Sequence, residues 1–358
     1  MTAPTTTRRD TQPAARPTVA VVGATGLVGR TMLKVLGERR FPATEVRALA
    51  SARSAGSTLS VDGRSFAVAE ATADAFDGVD IALFSAGADQ SRLLAPQAAE
   101  RGAVVIDNSS AWRMDPTVPL VVSQVNPEDL DWHHGIIANP NCSTMQLAPL
   151  LAALRDAVGL RRVIVDTYQS VSGTGSEAID ELEAQVAAHV GGQPAEHSVY
   201  PHPIAFNALP EIDTFMDNGY TKEEWKVVSE SRKILHMPEL PVSCTAVRVP
   251  VLISHSEAVH AECEEPITPA HARALFAAVD GVEVVDEPEA HRYPLAVDAA
   301  GRDDIFVGRV RADASLAEGR GLAFWVVADN LRKGAATNAV ELAELAMSRG
   351  LIGPDRSR

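Results

Sequence analysis

The feature that most constrains the fold is a glycine-rich segment, GATGLVG at residues 23–29, which follows the apolar run TVAVV at 18–22. A tight turn there needs glycine, and backbone N–H groups at the start of the next helix can face a pyrophosphate. The GxxGxxG spacing is a variant of GxGxxG, and its place between strand and helix favours a dinucleotide site over a turn that merely packs closely. The predicted contacts are Gly23, Thr25, Gly26, Leu27, Val28 and Gly29.

The residues after the second predicted strand, VRALA at 46–50, indicate which dinucleotide binds. An acidic residue about 20 positions after the glycine loop would bind the ribose 2′-OH of NAD. The chain has SARSAG at 51–56 instead, without a carboxylate. Ser51, Arg53 and Ser54 suit a 2′-phosphate, so we predict NADP(H). The alternative is a solvated turn in which Arg53 has no role.

Strands and helices alternate through the first 140 residues. After the first two strands, a hairpin is predicted at 57–69, and further strands follow at 80–87, 103–107 and 136–140. Helical patterns cover 30–38 and about 89–101. This alternation predicts an α/β fold with a doubly wound, Rossmann-type parallel sheet.

The rhythm changes after Cys142 and predicts an α+β domain with a mostly antiparallel sheet. Such a sheet often has one open face, so we expect a homodimer, with a tetramer as the alternative. The predicted domains are a disordered tail at 1–17, an NADP-binding domain at 18–141 joined by the C-terminal helix within 331–350, and a catalytic and dimerisation domain at 142–330. Helices are predicted at 143–156, 175–190, 221–235 and 331–349, and strands at 161–171, 243–253, 257–264, 305–311 and 321–328.

Composition excludes several classes of protein. The 358 residues suffice for about two domains. With 32 Lys plus Arg against 47 Asp plus Glu, the formal charge is −15, which argues against a nucleic-acid partner. The sequence has no stretch of 18 consecutive apolar residues, so no membrane span is predicted. The three cysteines form no CxxC pair and fit a reducing, cytoplasmic compartment. His197 and His202 lack a completing ligand set, so no metal site is predicted.

Cys142 is the candidate nucleophile. It lies in NPNCST at 139–144, between the short apolar run ending at 140 and an apolar helix. The positive end of the helix dipole and the free N–H groups lower the pKa of a thiol, so we expect a reactive thiolate. Cys244 and Cys263 lie in strand-like runs and are interpreted as packing residues.

Several further motifs occur together with these segments and in a fixed order. They are FSAG, DNSSAWRM, YQSVSGTG, EEWK, RVPVLISHSE and DNLRKGAATNAV. With GATGLVG, SARSAG and NPNCST, the series resembles the aspartate-semialdehyde dehydrogenase family, in its bacterial branch. The resemblance runs from about residue 18 to 350, and the Thr/Arg-rich N-terminal tail lies outside it.

The resemblance implies NADPH-dependent reductive dephosphorylation of L-aspartyl-4-phosphate to L-aspartate-4-semialdehyde. In the family this step serves diaminopimelate and lysine, threonine, methionine and isoleucine biosynthesis. Cys142 matches the nucleophile that forms a thioester. His255 matches the proton shuttle, for which a pKa near neutrality is expected. Asn141 precedes the nucleophile and is expected to help place the thioester oxygen.

The resemblance also assigns the groups that hold substrate and cofactor. Arg248 matches the clamp for the α-carboxylate and Glu223 the partner of the ammonium. Arg248 and His255 are seven positions apart, which in one regular strand places them on opposite faces, unless Pro250 or a strand end intervenes. The remaining assignments are Gln169 at the substrate or thioester, Arg113 and Lys226 at the phosphate, and Ser172, Gly173 and Asn330 at the nicotinamide side.

Taken singly, these residues have ordinary structural explanations, such as an ion pair or a solvated turn of helix. Their joint pattern favours catalysis. The alternatives are N-acetyl-glutamyl-phosphate reductase, whose uncharged acetylated amine would not need Glu223, and a non-catalytic NADP-sensing protein, which would not need Cys142. Glyceraldehyde-3-phosphate dehydrogenase is a remoter alternative, and the missing acidic NAD-selecting residue counts against it. The −15 charge leaves open whether a local cationic site lies inside an acidic shell.

Overall fold

The computed structural model describes residues 16–352, and most of the predicted tail at 1–17 lies outside this range. The first part of the chain forms a seven-stranded sheet of order β3-β4-β2-β1-β5-β6-β7, parallel except for the β3–β4 hairpin. The helices α1 (Leu27–Glu38) and α2 (Ala88–Glu100) connect its strands. The strands are β1 Thr18–Val22, β2 Glu45–Ala50, β3 Thr58–Val61, β4 Arg64–Glu70, β5 Ile81–Phe84, β6 Val104–Asp107 and β7 Ile136–Ala138.

Both faces of this sheet are covered, which explains why β1 is apolar throughout. Val19 and Val21 pack into one core layer, while Ala20 and Val22 pack into the layer on the opposite face. Continuous apolar runs are typical of parallel strands buried on both sides. The predicted doubly wound sheet is therefore confirmed.

The rest of the chain forms a six-stranded sheet of order β11-β12-β13-β10-β8-β9. Its central pairs are antiparallel, while β8–β9 and β11–β12 are parallel. The prediction of a mostly antiparallel second sheet is therefore also confirmed. The elements are α3 Cys142–Val158, β8 Leu160–Gln169, α4 Ser176–Val190, α5 Lys222–Ile234, β9 Val242–Arg248, β10 His255–Cys263, α6 Pro269–Ala277, β11 Val282–Val284, α7 Ala296–Ala299, β12 Ile305–Ala312, β13 Gly321–Ala328 and α8 Asn338–Ser348.

The two faces of the second sheet differ. One face packs against α3, α5 and α6 in the largest apolar cluster, which includes Leu151, Val163 and Phe324. On the other face, Tyr168 is 39% exposed and its ring lies 5.4 Å from that of Trp325. Aromatic side chains left in this position are typical of a surface that a partner covers.

Two element predictions were wrong in ways that matter for the site. The strand expected at 243–253 ends at Arg248, because Pro250 has no N–H for a ladder and the chain turns through a Val251 N to Val249 O contact. The helix expected at 331–349 begins as a π-helical turn, Arg332–Thr337, before α8. The helices α6 and α7 and the short strand β11 were not predicted from the sequence.

The C-terminal helix packs on the first sheet. Ala339, Val340, Leu342 and Ala343 of α8 share a buried cluster with β1, β5, β6 and α1. The exact domain limits given above stay a prediction. Among residues 16–352, no helix combines the length and apolarity that crossing a bilayer requires.

Candidate active site

A cavity of about 470 Å³ lies where the two sheets meet. It opens at the carboxyl ends of the parallel strands, the usual place for ligands in such sheets. Val28 in the first turn of α1 and Cys142 at the start of α3 both line it, so the glycine loop and the thiol face one space. The predicted site residues in its wall are Val28, Arg113, Asn141, Cys142, Gln169, Ser172, Gly173, Glu223, Lys226, Arg248 and Asn330.

Cys142 is the first residue of α3, and Asn141 caps the helix. The Asn141 Oδ1 accepts the Ser143 N–H at 2.9 Å, and its Nδ2 donates to Glu223 at 2.9 Å. Cys142 remains partly accessible from the cavity. Burial and the Glu223 carboxylate raise the pKa of this thiol to about 12, against the opposing effects of Arg113, Arg248 and Lys226. The expected lowering of the pKa was therefore wrong, because desolvation outweighs nearby positive charge.

The strand register brings Gln169, Arg248 and His255 together. Gln169 ends β8 and pairs with Arg248 at the end of parallel β9, while His255 begins antiparallel β10 on the other side of β8. The six residues between Arg248 and His255 therefore form a connection across the end of β8, and the two side chains do not belong to one strand. A Cβ atom on Gly173 would lie 3.1 Å from Arg248 Nη1 and 3.3 Å from His255 Nε2, so both groups border the same spot in the wall.

His255 is fully buried and its proton has a defined place. The Ser170 N–H donates to His255 Nδ1 at 3.0 Å, so the neutral ring carries its proton on Nε2. That Nε2 has no hydrogen-bond partner among the described residues. Burial and the neighbouring Arg248 guanidinium lower the pKa of His255 to about 3. The expectation of a pKa near neutrality was therefore wrong.

Arg113 is held on three sides. Its Nε donates to Asn139 O at 2.9 Å, Nη2 to Asn108 O at 2.6 Å, and Nη1 to the Glu230 carboxylate at 3.0 Å. A guanidinium has five N–H donors, so two of them remain for a ligand in the cavity.

Glu223 and Lys226, which were predicted to bind the ammonium and the phosphate, also form an ion pair on one face of α5, with 3.0 Å between Lys226 Nζ and Glu223 Oε2. Lys226 also meets Asp213 at 2.9 Å. Burial alone would raise the pKa of Glu223, but Lys226 and hydrogen bonds from Asn141 and Gln169 lower it to about 2. Glu223 is thus a buried carboxylate that stays charged at neutral pH.

The wall next to Cys142 is closed by hydroxyl and amide groups. The Asn330 Nδ2 donates to Ser172 Oγ at 3.0 Å, and its Oδ1 accepts the Ser254 N–H at 2.9 Å. Gln169 Nε2 donates to Ser143 Oγ at 2.9 Å and to Glu223 at 3.1 Å. These bonds fix Ser172, Asn330 and Gln169 before any ligand binds.

The glycine loop fits a dinucleotide. A Cβ atom on Gly29 would lie 2.2 Å from Gly23 O, and one on Gly23 would lie 2.4 Å from Ser85 O, so neither position accepts a side chain. Gly26 offers no side chain to cap α1, which leaves the helix N–H groups for a phosphate. The other predicted cofactor contacts, outside the cavity wall itself, are Gly23, Thr25, Gly26, Leu27, Gly29, Ser51, Arg53 and Ser54.

Models of known protein families match segments of both sheets. The family described as semialdehyde dehydrogenase, NAD binding domain, matches residues 18–133, and semialdehyde dehydrogenase, dimerisation domain, matches residues 151–333. The aspartate-semialdehyde dehydrogenase of Aquifex aeolicus is 52% identical over 338 residues, which are 93% of this chain and 99% of that protein. This chain belongs to the aspartate-semialdehyde dehydrogenase family.

Other members of the family agree. The Bacillus subtilis aspartate-semialdehyde dehydrogenase is 48% identical over 93% of this chain and 98% of its own. A crystal structure of aspartate semialdehyde dehydrogenase II from Vibrio cholerae, complexed with ASA, has a TM-score of 0.89 at 49% identity. It covers 93% of this chain and 98% of its own. The family predicted from the motifs is confirmed.

The charge of the cavity is more balanced than the family chemistry alone suggests. Three cationic side chains line it, Arg113, Lys226 and Arg248, together with the carboxylates of Asp213 and Glu223. Of the three cations, only Arg248 has no carboxylate partner among the described residues. The acidic chain thus contains one uncompensated buried cation at this site, and not a broad cationic patch.

Three residues of the site were not predicted from the sequence. Glu230 holds Arg113 from α5, Asp213 holds Lys226, and Gly334 lies so close to Cys142 that a Cβ atom would be 2.8 Å from the Cys142 Cβ. The spacing of Glu223, Lys226, Glu230 and Lys233 places them on one helix face and was a usable signal for Glu230. Asp213 lies in an irregular segment that carries no such signal.

Proposed function

We propose that this chain reduces L-aspartyl-4-phosphate to L-aspartate-4-semialdehyde with NADPH through a thioester on Cys142. The observation that carries the proposal is one cavity in which Cys142 lies between the glycine-loop helix and a set of paired charges. This reaction needs a thiol nucleophile, a cation that binds the substrate carboxylate, an anion that binds its ammonium group, and hydrogen-bond donors to the phosphate. The product serves the biosynthesis of lysine, threonine, methionine and isoleucine.

The α-amino acid end of the substrate is assigned to Arg248 and Glu223. Arg248 is 5% exposed and its Nη1 donates to Ser170 O, which leaves further donors for a carboxylate. Glu223 stays ionised because of its low pKa and would bind a free ammonium. An acetylated amine would leave this carboxylate without that partner, which argues against N-acetyl-glutamyl-phosphate as substrate.

Binding of the ammonium has a consequence for Cys142. The Glu223 carboxylate is one of the two causes that raise the pKa of the thiol. A substrate ammonium against Glu223 would neutralise that contribution and so favour the thiolate when substrate is present. Nucleophile formation is thereby coupled to the arrival of the correct amino group.

The proposed reaction begins with attack of the Cys142 thiolate on the acyl carbon. The C–S bond forms, the bond from that carbon to the phosphate oxygen breaks, and phosphate leaves with the electron pair towards Arg113 and Lys226. NADPH, when bound, would supply the hydride that reduces the thioester carbonyl. The His255 Nε2–H donates a hydrogen bond to the resulting oxyanion, whose collapse releases the aldehyde and Cys142 as thiolate.

The same assignment gives the remaining residues positioning tasks. Asn141 and Gln169 hold the thioester oxygen and the substrate next to Glu223, and Ser172, Gly173 and Asn330 form the wall against the nicotinamide. Arg53, with Ser51 and Ser54, is assigned to the 2′-phosphate of NADP(H). In support, Arg53 is exposed at the end of β2, and no described side chain pairs with its guanidinium.

We further propose a homodimer formed through the open face of the second sheet. Tyr168 and Trp325 give this face an aromatic surface, and Ser256 and Ala258 lie beside them on β10. The matching family description is a dimerisation domain. A charged substitution, Tyr168→Asp, should shift the protein to monomer in sedimentation velocity, and an unchanged sedimentation coefficient would place the interface elsewhere.

The central test is a spectrophotometric assay with aspartate semialdehyde, phosphate, and NADP or NAD in parallel. We expect NADP reduction that depends on phosphate and is lost in Cys142→Ala, while NADPH still binds to this variant. The matched control is Cys244→Ala, since Cys244 is a buried residue of β9 outside the cavity wall. Substantial turnover by Cys142→Ala would remove the thioester from the mechanism.

A further inference from the structure

Glu230 is a carboxylate buried behind the wall of the cavity. It lies on α5 and its side chain is 1% exposed. Its two oxygens serve two different parts of the site. Oε1 accepts from Arg113 Nη1 at 3.0 Å, and Oε2 accepts from the backbone N–H of Asn141 at 2.6 Å.

Each of these partners has a separate task in the proposed reaction. Arg113 is assigned to the leaving phosphate, and Asn141 begins the turn that places Cys142 at the start of α3. Arg113 and Asn141 are 28 residues apart and belong to different loops of the first sheet. One side chain from the second half of the chain therefore holds the Arg113 guanidinium at a fixed separation from the turn that carries Cys142, here called the nucleophile turn.

The helix that carries Glu230 holds Arg113 from a second direction. Lys233, one turn further along α5, donates to the backbone oxygens of Arg113, Asp115 and Val118 at 2.7 to 2.8 Å. The backbone and the guanidinium of Arg113 are thus both fixed by α5. The same helix presents Glu223 to Asn141 Nδ2, so it also contacts the nucleophile turn twice.

We infer that Glu230 is a positioning residue that aligns the phosphate-binding guanidinium of Arg113 with the Cys142 turn. The inference rests on the proposed function, since it requires Arg113 to bind the phosphate. Glu230 does not line the cavity, so it acts through Arg113 and Asn141 and not on the substrate. Reactions of this kind are sensitive to small errors in the placement of groups, about 100-fold for 1 Å.

A carboxylate is required because both partners are donors. The amide of Glu230→Gln has one oxygen, so it can accept from Arg113 or from Asn141, and its NH2 group would face the other donor. This variant keeps the volume of the side chain and removes the alignment. Glu230→Asp keeps the charge but is one methylene shorter, and it provides the second variant if the amide does not fold.

The test measures phosphate-dependent NADP reduction by aspartate semialdehyde over a range of phosphate concentrations. For Glu230→Gln we expect the KM for phosphate to rise about tenfold and kcat to fall about tenfold, with the KM for the semialdehyde within about twofold of wild type. Glu230→Asp should change the same two parameters by a smaller factor. A general loss of structure would instead move both KM values together.

The matched control is Glu224→Gln. Glu224 is also a buried carboxylate on α5 that accepts two backbone N–H groups, from Thr221 at 2.7 Å and Ala246 at 3.0 Å, but it touches neither Arg113 nor Asn141. We expect this variant to lose thermal stability and to keep the phosphate KM. If Glu224→Gln changes the phosphate KM as much as Glu230→Gln does, Glu230 has only a structural role.

A double variant separates the effect that Glu230 exerts through Arg113 from the effect that it exerts through Asn141. With Arg113→Ala, the further change Glu230→Gln should leave the phosphate KM where Arg113→Ala puts it, because the group through which Glu230 acts is gone. Additive effects on the phosphate KM would overturn the inference, as would a Glu230→Gln phosphate KM within twofold of wild type. Absence of phosphate-dependent turnover in the wild-type protein would instead overturn the proposed function, and the inference with it.

Discussion

The two ends of the cavity are built on opposite principles. The part predicted to hold the phosphates of the cofactor consists of two short contiguous segments, 23–29 and 51–54, and it offers mainly backbone and Arg53, with which no described side chain pairs. The reaction end draws side chains from several distant segments, and these are already bonded to one another before a ligand arrives. A site made of backbone can be found in a local motif, whereas a site made of pre-paired side chains depends on the whole topology.

Among substitutions that leave Cys142 in place, Arg248→Leu should have the largest effect, because it removes the one buried cation at the reaction end that has no carboxylate partner among residues 16–352. We expect kcat/KM for the semialdehyde to fall by roughly 10³, since a bidentate charge-assisted contact is lost. Steady-state kinetics at saturating NADP and phosphate measure this loss. Arg101→Leu removes only exposed contacts, with Asp74, Asp77 and the backbone oxygen of Gln97, and should leave the kinetics unchanged. A loss below tenfold in Arg248→Leu would place the carboxylate elsewhere.

The pH dependence of stability should reveal the cost of burying His255. Its folded pKa of about 3 lies below the ordinary 6.5, so as pH falls from 6.5 towards 3 the unfolded chain takes up a proton that the folded chain does not. Stability is therefore lost through this window, by about 1.4 kcal/mol per pH unit. Urea unfolding of the wild type and of His255→Asn at about pH 7.5, 6.5 and 5.5 gives the free energy of unfolding of each protein. The slopes of this free energy against pH are then compared. Parallel slopes for the two proteins would mean that the pKa of His255 in the fold stays close to its ordinary value of 6.5.

Gly173→Ala tests how tightly the reaction end is packed. The added Cβ would meet Arg248 Nη1 at 3.1 Å and His255 Nε2 at 3.3 Å, so both groups must shift slightly. We expect a loss in kcat/KM of about 30-fold, with little change in thermal midpoint. Gly191→Ala is the control, since its Cβ would meet only ordinary contacts at 3.4 Å or more. Equal effects of the two substitutions would argue against a precise fit at Gly173.

Arg53→Ala should have the smallest effect and tests the cofactor end. Because Arg53 is exposed, its loss should leave stability unchanged and raise the KM for NADP by about tenfold through the lost 2′-phosphate contact. The KM for NAD, measured in the same preparation, is the internal control and should stay constant. A parallel rise for both cofactors would show that Arg53 supports the loop and does not select the 2′-phosphate.

The sequence predicted those features that are encoded locally. Gly29 could be assigned because a strand, a loop and a helix follow one another, and Cys142 because it precedes an apolar helix. The pKa of Cys142 could not be predicted, since it depends on how much protein surrounds the thiol and on Glu223, which is 81 residues away. The proximity of Arg248 and His255 could not be predicted from the sequence either, because it depends on β9 and β10 flanking the same strand, β8. Glu230 had a helical spacing signal, but its partners only become evident from the packing of α5.

The C-terminal helix has a consequence for how the chain acquires its fold. Ala339, Val340, Leu342 and Ala343 complete the buried layer under β1, although more than 300 residues separate them from that strand. During synthesis the first sheet emerges long before this layer is complete, and the part of its face that α1 does not cover stays exposed until α8 has left the ribosome. Chain termination before residue 338 should therefore yield an aggregation-prone product and not a free nucleotide-binding domain.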